Sequence, residues 1–229
     1  MSAETINVAV SSNFYNTLKK IKIEFENESF HNINIIQGST GNLYHQIVYG
    51  APYNIYLSAD EYHPSLLIKK GFANKETSFT YACGQLAFIF NKKNTVDKLS
   101  SIKKFSRISI ANPSKAPYGE AAIETLERLD LLNTFKNNLV YGNSVGQVFH
   151  FVVSGNIEGG FISKSLTLNL QNKSYILVPS NLHKPIRQNA VLINNANISK
   201  IIASKQFLNF LKGRWSRQHI VNAGYFYEC

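Results

Sequence analysis

The sequence predicts an α/β protein, and three observations bear on that class and on its division into lobes. Short apolar strands alternate with amphipathic helices, the pattern of parallel sheets covered by helices. Each strand runs through a small polar turn into a helix start. This series of strand, turn and helix occurs once before about residue 71 and is echoed after Cys83. A chain of 229 residues suits one large domain or two lobes of about 100 residues each.

Taken in order, strand Ile6–Val10 leads through Ser11-Ser12-Asn13 into a helix from Phe14 to Glu26, where Phe14, Leu18, Ile21 and Phe25 recur at helical spacing. Strand Asn34–Gln37 leads through Gly38-Ser39-Thr40-Gly41 into a helix carrying Leu43, Ile47 and Val48. Strand Asn54–Ser58 leads through Ala59-Asp60 into a helix ending near Gly71. From Cys83 the style shifts. Gln85–Phe90 and Arg107–Ala111 read as strands, and Ala116-Pro117-Tyr118-Gly119 opens a helix running to Leu129. The short strand Leu139–Tyr141 precedes Asn143-Ser144-Val145-Gly146 and a helix to Val153. Gly159–Ser163, Tyr175–Val178 and Ala190–Ile193 read as further strands, the last leading to C-terminal helices.

Composition narrows the classes of function. Hydrophobic residues make up 44% and charged residues 17%, the balance of a globular protein. No apolar run approaches the roughly 20 residues of a membrane span; the longest, such as Leu86–Phe90 and Phe149–Val153, have the length of core elements. The net charge is +10, but Lys19, Lys20, Lys22, Lys69, Lys70, Lys92, Lys93, Lys103 and Lys104 are spread along the chain. They form no basic stripe interleaved with aromatics, so no nucleic-acid partner is indicated. Cys83 and Cys229 have neither framework nor metal-ligand spacing. Cys83 reads as a small buried residue, and the pairing of Cys229 is left open.

Catalytic signatures are missing. His31, His45, His63, His150, His183 and His219 include no His-x-x-x-His or His-Glu-x-x-His pair, and each reads as a surface or half-buried residue. No Gly-x-Ser-x-Gly elbow occurs, and Gly38-Ser39-Thr40-Gly41 lacks the phosphate-loop Lys. Asp60 has no obvious partner carboxylate. The remaining chemistry lies in strand-to-helix turns bearing hydroxyls and amides: Ser12-Asn13, Ser39-Thr40, Tyr118 and Ser144-Val145. Any one of these alone reads as ordinary helix capping. Converging on one cleft, their hydroxyls and helix-start N–H groups would hold an anion.

The segments Val8-Ala9-Val10-Ser11-Ser12-Asn13-Phe14, Gly38-Ser39-Thr40-Gly41-Asn42-Leu43-Tyr44 and Gly50-Ala51-Pro52-Tyr53-Asn54-Ile55-Tyr56-Leu57-Ser58-Ala59-Asp60 occur in order. Ile110-Ala111-Asn112-Pro113, Ala116-Pro117-Tyr118-Gly119, Asn143-Ser144-Val145-Gly146-Gln147, Phe210-Leu211-Lys212-Gly213 and Ala223-Gly224-Tyr225 follow. Across nearly the whole chain this set resembles the periplasmic molybdate-binding proteins, the receptors of molybdate/tungstate ABC importers. The resemblance implies a type II periplasmic-binding fold, each lobe a mostly parallel sheet flanked by helices, with the ligand in the inter-lobe cleft. Residues 1–82 and 187–229 would form one lobe and 83–186 the other, joined near Tyr81–Gly84 and Pro179–Gln188 by a hinge.

By the same resemblance, molybdate or tungstate would be held by Ser12, Asn13, Ser39 and Thr40 from the first lobe, and by the Tyr118 phenol and the Val145 main-chain N–H from the second. The family branch with a tyrosine after the Gly-Phe strand is not matched, since this chain reads Gly160-Phe161-Ile162-Ser163. No cofactor and no direct protein–metal ligand are expected, because the metal arrives as an oxyanion. The implied partners are that anion and a membrane permease, and the chain is expected to be a monomer. No secretory leader precedes Ile6. The first strand begins where a mature chain of the family would, so a removed leader and a periplasmic or lipid-anchored location are expected.

Neutral donors suffice for such a ligand. A fully deprotonated tetrahedral dianion offers only acceptors, whereas hydrogen phosphate brings a donor that a donor-only site leaves unpaired, at a cost of about 1–3 kcal/mol. Sulfate must be discriminated by size, and nothing separates molybdate from tungstate. The competing readings are a receptor for sulfate or thiosulfate, and a cytoplasmic enzyme or anion sensor. The first shares the same turns. The second lacks a nucleophile–base pair, and no room for a helix-turn-helix exists before Ile6.

Overall fold

The computed structural model describes residues 3–91, 96–168, 170, 173–194 and 197–229; Met1, Ser2, Lys92 and Lys93 lie outside the described residues. In chain order the elements are β1 (Thr5–Ser11), α1 (Tyr15–Glu28), β2 (Asn32–Gly38), α2 (Thr40–Val48), β3 (Ile55–Leu57), α3 (Tyr62–Lys69) and β4 (Ala73–Gly84). Next come β5 (Leu86–Asn91), a 3-10 turn (Leu99–Lys104), β6 (Ile108–Ala111), α4 (Pro117–Arg128), α5 (Leu132–Phe135) and β7 (Leu139–Gly142). Then follow α6 (Val145–Val153), β8 (Gly159–Ser163), α7 (Lys164–Thr167), β9 (Lys173–Leu177), a 3-10 turn (Ser180–Leu182), β10 (Ile186–Ile193), α8 (Ile198–Lys212) and α9 (Arg214–Asn222).

Two compact units result: Met1–Cys83 with Arg187–Cys229, and Gly84–Ile186. Cys83 belongs with the first unit because its backbone exchanges hydrogen bonds with Phe226 at 2.7 and 2.9 Å and its sulfur is bonded to Cys229.

The first unit is a five-stranded sheet in the order β2-β1-β3-β10-β4. Strand β1 is parallel to β2 and β3, and β10 runs antiparallel to β3. Period-two alternation sends Ile6, Val8 and Val10 to one face and Ala9 to the other. The first face packs with Phe14, Leu18, Ile21 and Phe25 and with Ala203, Phe207, Leu208 and Leu211 of α8. The second packs with Leu43, Tyr44 and Ile47 of α2 and Leu67 of α3. Burying each large apolar side chain contributes about 1.5–3 kcal/mol.

The second unit has the order β7-β6-β8-β5-β9. Strand β6 is parallel to β7 and β8, while β5 is antiparallel to β8 and β9. Phe88 anchors its core, with Phe161 and Phe105 edge-on at 5.0 and 5.5 Å. Both sheets are therefore mixed: a parallel trio of strands carries the strand–turn–helix units, joined by antiparallel β10 in one sheet and antiparallel β5 in the other.

One strand departs from expectation altogether. β4 spans 12 residues in a region that the hydrophobic pattern leaves unassigned. It ends the sheet order, and Asn74, Lys75, Glu76, Thr77 and Ser78 give it no apolar periodicity to detect.

Candidate functional site

In the first unit, parallel pairing sets Ser11 opposite Gly38, so the turns after β1 and β2 leave the sheet side by side. All four predicted residues of this unit are buried there: Ser12, Asn13, Ser39 and Thr40. The turn 12–14 is tied to β2 by Ser12 N–H donating to Gly38 O at 2.9 Å. That main-chain donor is used, so Ser12 can serve a ligand only through its hydroxyl. Phe14 pins the turn from behind, its ring edge-on to Tyr81 and Tyr225 at 4.7 and 5.5 Å.

Asn13 is held by a buried polar network. Its Nδ2 donates to Gln188 Oε1 at 2.8 Å and to Tyr225 Oη at 3.2 Å. Tyr225 Oη donates back to Asn13 O at 2.8 Å, and Tyr81 Oη donates to Gln188 Oε1 at 3.1 Å. Gln188, Tyr81 and Tyr225 belong to the network around Asn13, a link that sequence reasoning did not make. Tyr225 stood in a quoted segment, and Tyr81 and Gln188 bounded the expected hinge, but nothing in their spacing ties them to Asn13, as much as 212 residues away.

Thr40 opens α2, with Ser39 at the N-cap. Tyr56 Oη donates to Thr40 O at 2.8 Å. Burial, and then the charge of Asp60, push the Tyr56 phenol well above its usual value, so it stays a donor. Thr40 Oγ1 lies 2.8 Å from Ser11 Oγ, which accepts from Ala59 N–H at 3.1 Å. Ser39 Oγ is buried with no hydrogen-bond partner among the described residues, and it makes no capping bond. Ser204 and Ser216 share this state, but they sit inside α8 and α9. At Ser39 the orphaned hydroxyl stands instead at a helix start, where the first main-chain N–H groups have no intrahelical acceptor.

In the second unit the arrangement repeats, with Ala111 opposite Gly142. Pro117 occupies the first turn of α4, a position that suits its fixed φ. Gly119 lets this turn sit against the end of β6: a Cβ there would lie 2.2 Å from Ala111 O. That approach fixes Tyr118, whose buried Oη accepts from Ser163 Oγ at 3.0 Å. Ser163 Oγ in turn lies 2.7 Å from Ser165 Oγ. Ser163 ends the Gly-Phe strand against Tyr118, and Ser165 stands behind it.

Val145 begins α6, capped by Ser144 Oγ accepting from Gln147 N–H at 3.3 Å. Gln147 Oε1 reaches back to Asn143 N–H at 2.6 Å, a variant of the capping box. The Ser144 hydroxyl is thereby occupied as a cap, which leaves the helix-start main chain at Val145 as the donor of this turn.

The predicted residues thus form two groups, each at the carboxyl ends of parallel strands: Ser12, Asn13, Ser39 and Thr40 in one unit, Tyr118 and Val145 in the other. Every group named is uncharged. Asp60, beside Ala59, accepts from Ser58 Oγ at 3.0 Å and lies 2.7 Å from His63 Nδ1. The histidines divide differently from expectation: His31 and His183 are buried, with Nδ1 bonded to Glu4 N–H and Lys184 O respectively. Among the described residues, no three His, Cys, Asp or Glu side chains gather as metal ligands.

A sequence profile described as bacterial extracellular solute-binding protein matches residues 6–226. The molybdate-binding protein ModA of Rhodobacter capsulatus is 34% identical over 229 residues, covering 99% of this chain and 90% of that protein. ModA of Azotobacter vinelandii is 37% identical, covering 97% of this chain and 90% of that protein. The solved periplasmic molybdate-binding protein of A. vinelandii superposes with a TM-score of 0.90 at 34% identity, covering 96% of this chain and 98% of that one.

Proposed function

Because the chain belongs to the bacterial extracellular solute-binding proteins, and within them resembles ModA over nearly its full length, we propose that it is the molybdate-binding component of an ABC importer. It binds and delivers a solute and is not an enzyme. The observation that carries this reading is the hydroxyl pair at the start of α2. Among the described residues, Ser39 Oγ is buried without a hydrogen-bond partner, and Thr40 Oγ1 is bonded to Ser11 Oγ alone. Such hydroxyls, with helix-start N–H groups, supply donors and no charge, which suits a dianion that can only accept.

Ser12, Asn13, Ser39 and Thr40 contribute donors from the first unit, and the Tyr118 phenol and Val145 N–H from the second. Asn13 takes part by turning one amide hydrogen to the anion, releasing its longer bond, the one to Tyr225. Tungstate, of the same charge and nearly the same size, binds the same donors. The protein works outside the cytoplasmic membrane as a monomer, and the permease recognises its loaded form. Contacts from both units stabilise that form at the expense of the empty one.

Isothermal titration calorimetry with molybdate, tungstate, sulfate and phosphate tests the reading. Saturable heat with the first two, and far weaker binding of the others, is expected. Binding of sulfate with no response to molybdate would overturn it.

A further inference from the structure

A hydroxyl can accept as readily as it donates, so Thr40 alone does not reject an anion that carries a proton. Its neighbour Ser11 removes this freedom. We propose that Ser11 is a positioning residue that fixes the polarity of the Thr40 hydroxyl, and so sets selectivity for fully deprotonated oxyanions over protonated ones. This rests on Thr40 being an anion donor, as proposed above.

The argument is one of hydrogen accounting in a buried place. Ser11 and Thr40 are 2% exposed each. Among the described residues Ser11 Oγ has two hydrogen-bond neighbours: it accepts from Ala59 N–H at 3.1 Å and lies 2.8 Å from Thr40 Oγ1. If Thr40 donated to Ser11, the Ser11 hydrogen would be buried with no acceptor, an arrangement native structures avoid. If Ser11 donates to Thr40, the Ser11 hydrogen has its acceptor, and the Thr40 hydrogen is the one left for the proposed ligand.

The upstream donor is itself held in place. Ala59 lies between Ser58 and Asp60, where Ser58 Oγ donates to Asp60 Oδ1 at 3.0 Å and accepts from Asp60 N–H at 3.2 Å. Asp60 Oδ1 also accepts from His63 N–H at 3.0 Å. The order therefore runs from Ala59 N–H to Ser11, from Ser11 to Thr40, and from Thr40 to the anion, all within the first unit. Hydrogen phosphate would need an acceptor at the last step, and Thr40 turned by Ser11 presents a donor there.

The test compares dissociation constants for molybdate and, by competition, for phosphate in the wild type, Ser11→Ala, Thr40→Val and the double variant, each checked for folding by circular dichroism. Ser11→Ala should narrow the molybdate-over-phosphate ratio by about tenfold or more, the scale of one hydrogen bond to a charged group. In the Thr40→Val background the same substitution should leave the ratio unchanged, since coupled residues are not additive. Equal weakening of both anions by Ser11→Ala, or an undiminished effect in the Thr40→Val background, would reduce Ser11 to packing and overturn the proposal. A wild type that ignores molybdate would instead sink the anion reading itself. Should Ser11→Ala fail to fold, neutron diffraction from wild-type crystals decides. A deuterium on Ser11 directed at Thr40 supports the proposal, and one on Thr40 directed at Ser11 refutes it.

Discussion

Replacing Cys229 by Ser removes the bond to Cys83, and the consequence follows from what that bond joins. The first unit is assembled from two stretches of chain separated by the whole of the second, and the bridge connects one stretch to the other across 146 residues. Chain-entropy reasoning gives about 5 kcal/mol for a closed loop of that size, and measured bridges typically contribute about 2–4 kcal/mol. For a chain of this length each kcal/mol moves the melting temperature by roughly 2–4 °C. Cys229→Ser, or the wild type held in a phosphine reductant, should therefore melt roughly 5–15 °C lower by scanning calorimetry. The backbone bonds between Cys83 and Phe226 remain available in the variant, so the loss should appear as stability and not as a different fold. An unchanged melting temperature in both experiments would refute the reasoning and show that the C-terminal segment is held by its other contacts.

Three further outcomes are expected. Asn13→Ala removes donors from Gln188 and Tyr225 and should weaken molybdate binding by about 1–2 kcal/mol in calorimetric titration, as should Tyr118→Phe; unchanged affinity in both would mean the site is elsewhere. Gly119→Ala places a Cβ against Ala111 O and should destabilise the second unit by roughly 1–3 kcal/mol, as read by urea unfolding; full stability would mean that α4 can shift at no cost. Burial alone would raise the Glu158 carboxyl, but hydrogen bonds from Ser106 Oγ and from the Arg107 and Ser106 N–H groups outweigh it and hold the carboxyl below its ordinary value. A depressed value means stability that is present above the unfolded-state value and lost as pH falls through the folded one. Melting of Glu158→Gln should therefore depend less on pH in the acid range than that of the wild type.

The strand–turn–helix units were legible because burial on both faces writes itself into the sequence: Ile6 to Val10 and the Phe14, Leu18, Ile21, Phe25 spacing leave little choice. The helix starts themselves were legible for a related reason, since Ser, Thr and Asn gather there, and Ser144 does cap α6. What escaped was whatever depends on distance along the chain. Cys83 and Cys229 carry no spacing signal, yet they are bonded. Asn13 was named as a ligand, but its grip on Gln188 and Tyr225 requires strands from both ends of the sequence to meet. Strand β4 escaped for want of a pattern, because a strand at the end of the sheet order can carry Lys75 and Glu76 where an inner strand could not.

The position of β10 has a consequence for the order in which the molecule can form. It lies between β3 and β4, so β4 has no sheet neighbour until residues beyond Ile186 arrive. By then the whole second unit, one uninterrupted stretch, has already been made. The second unit can therefore complete itself first. The first unit must keep a strand of 12 residues unpaired until β10 enters, a long-range and hence slow step. During that interval the polar residues of β4 have a further use: an unpaired edge bearing Lys75 and Glu76 is a poor template for joining another chain.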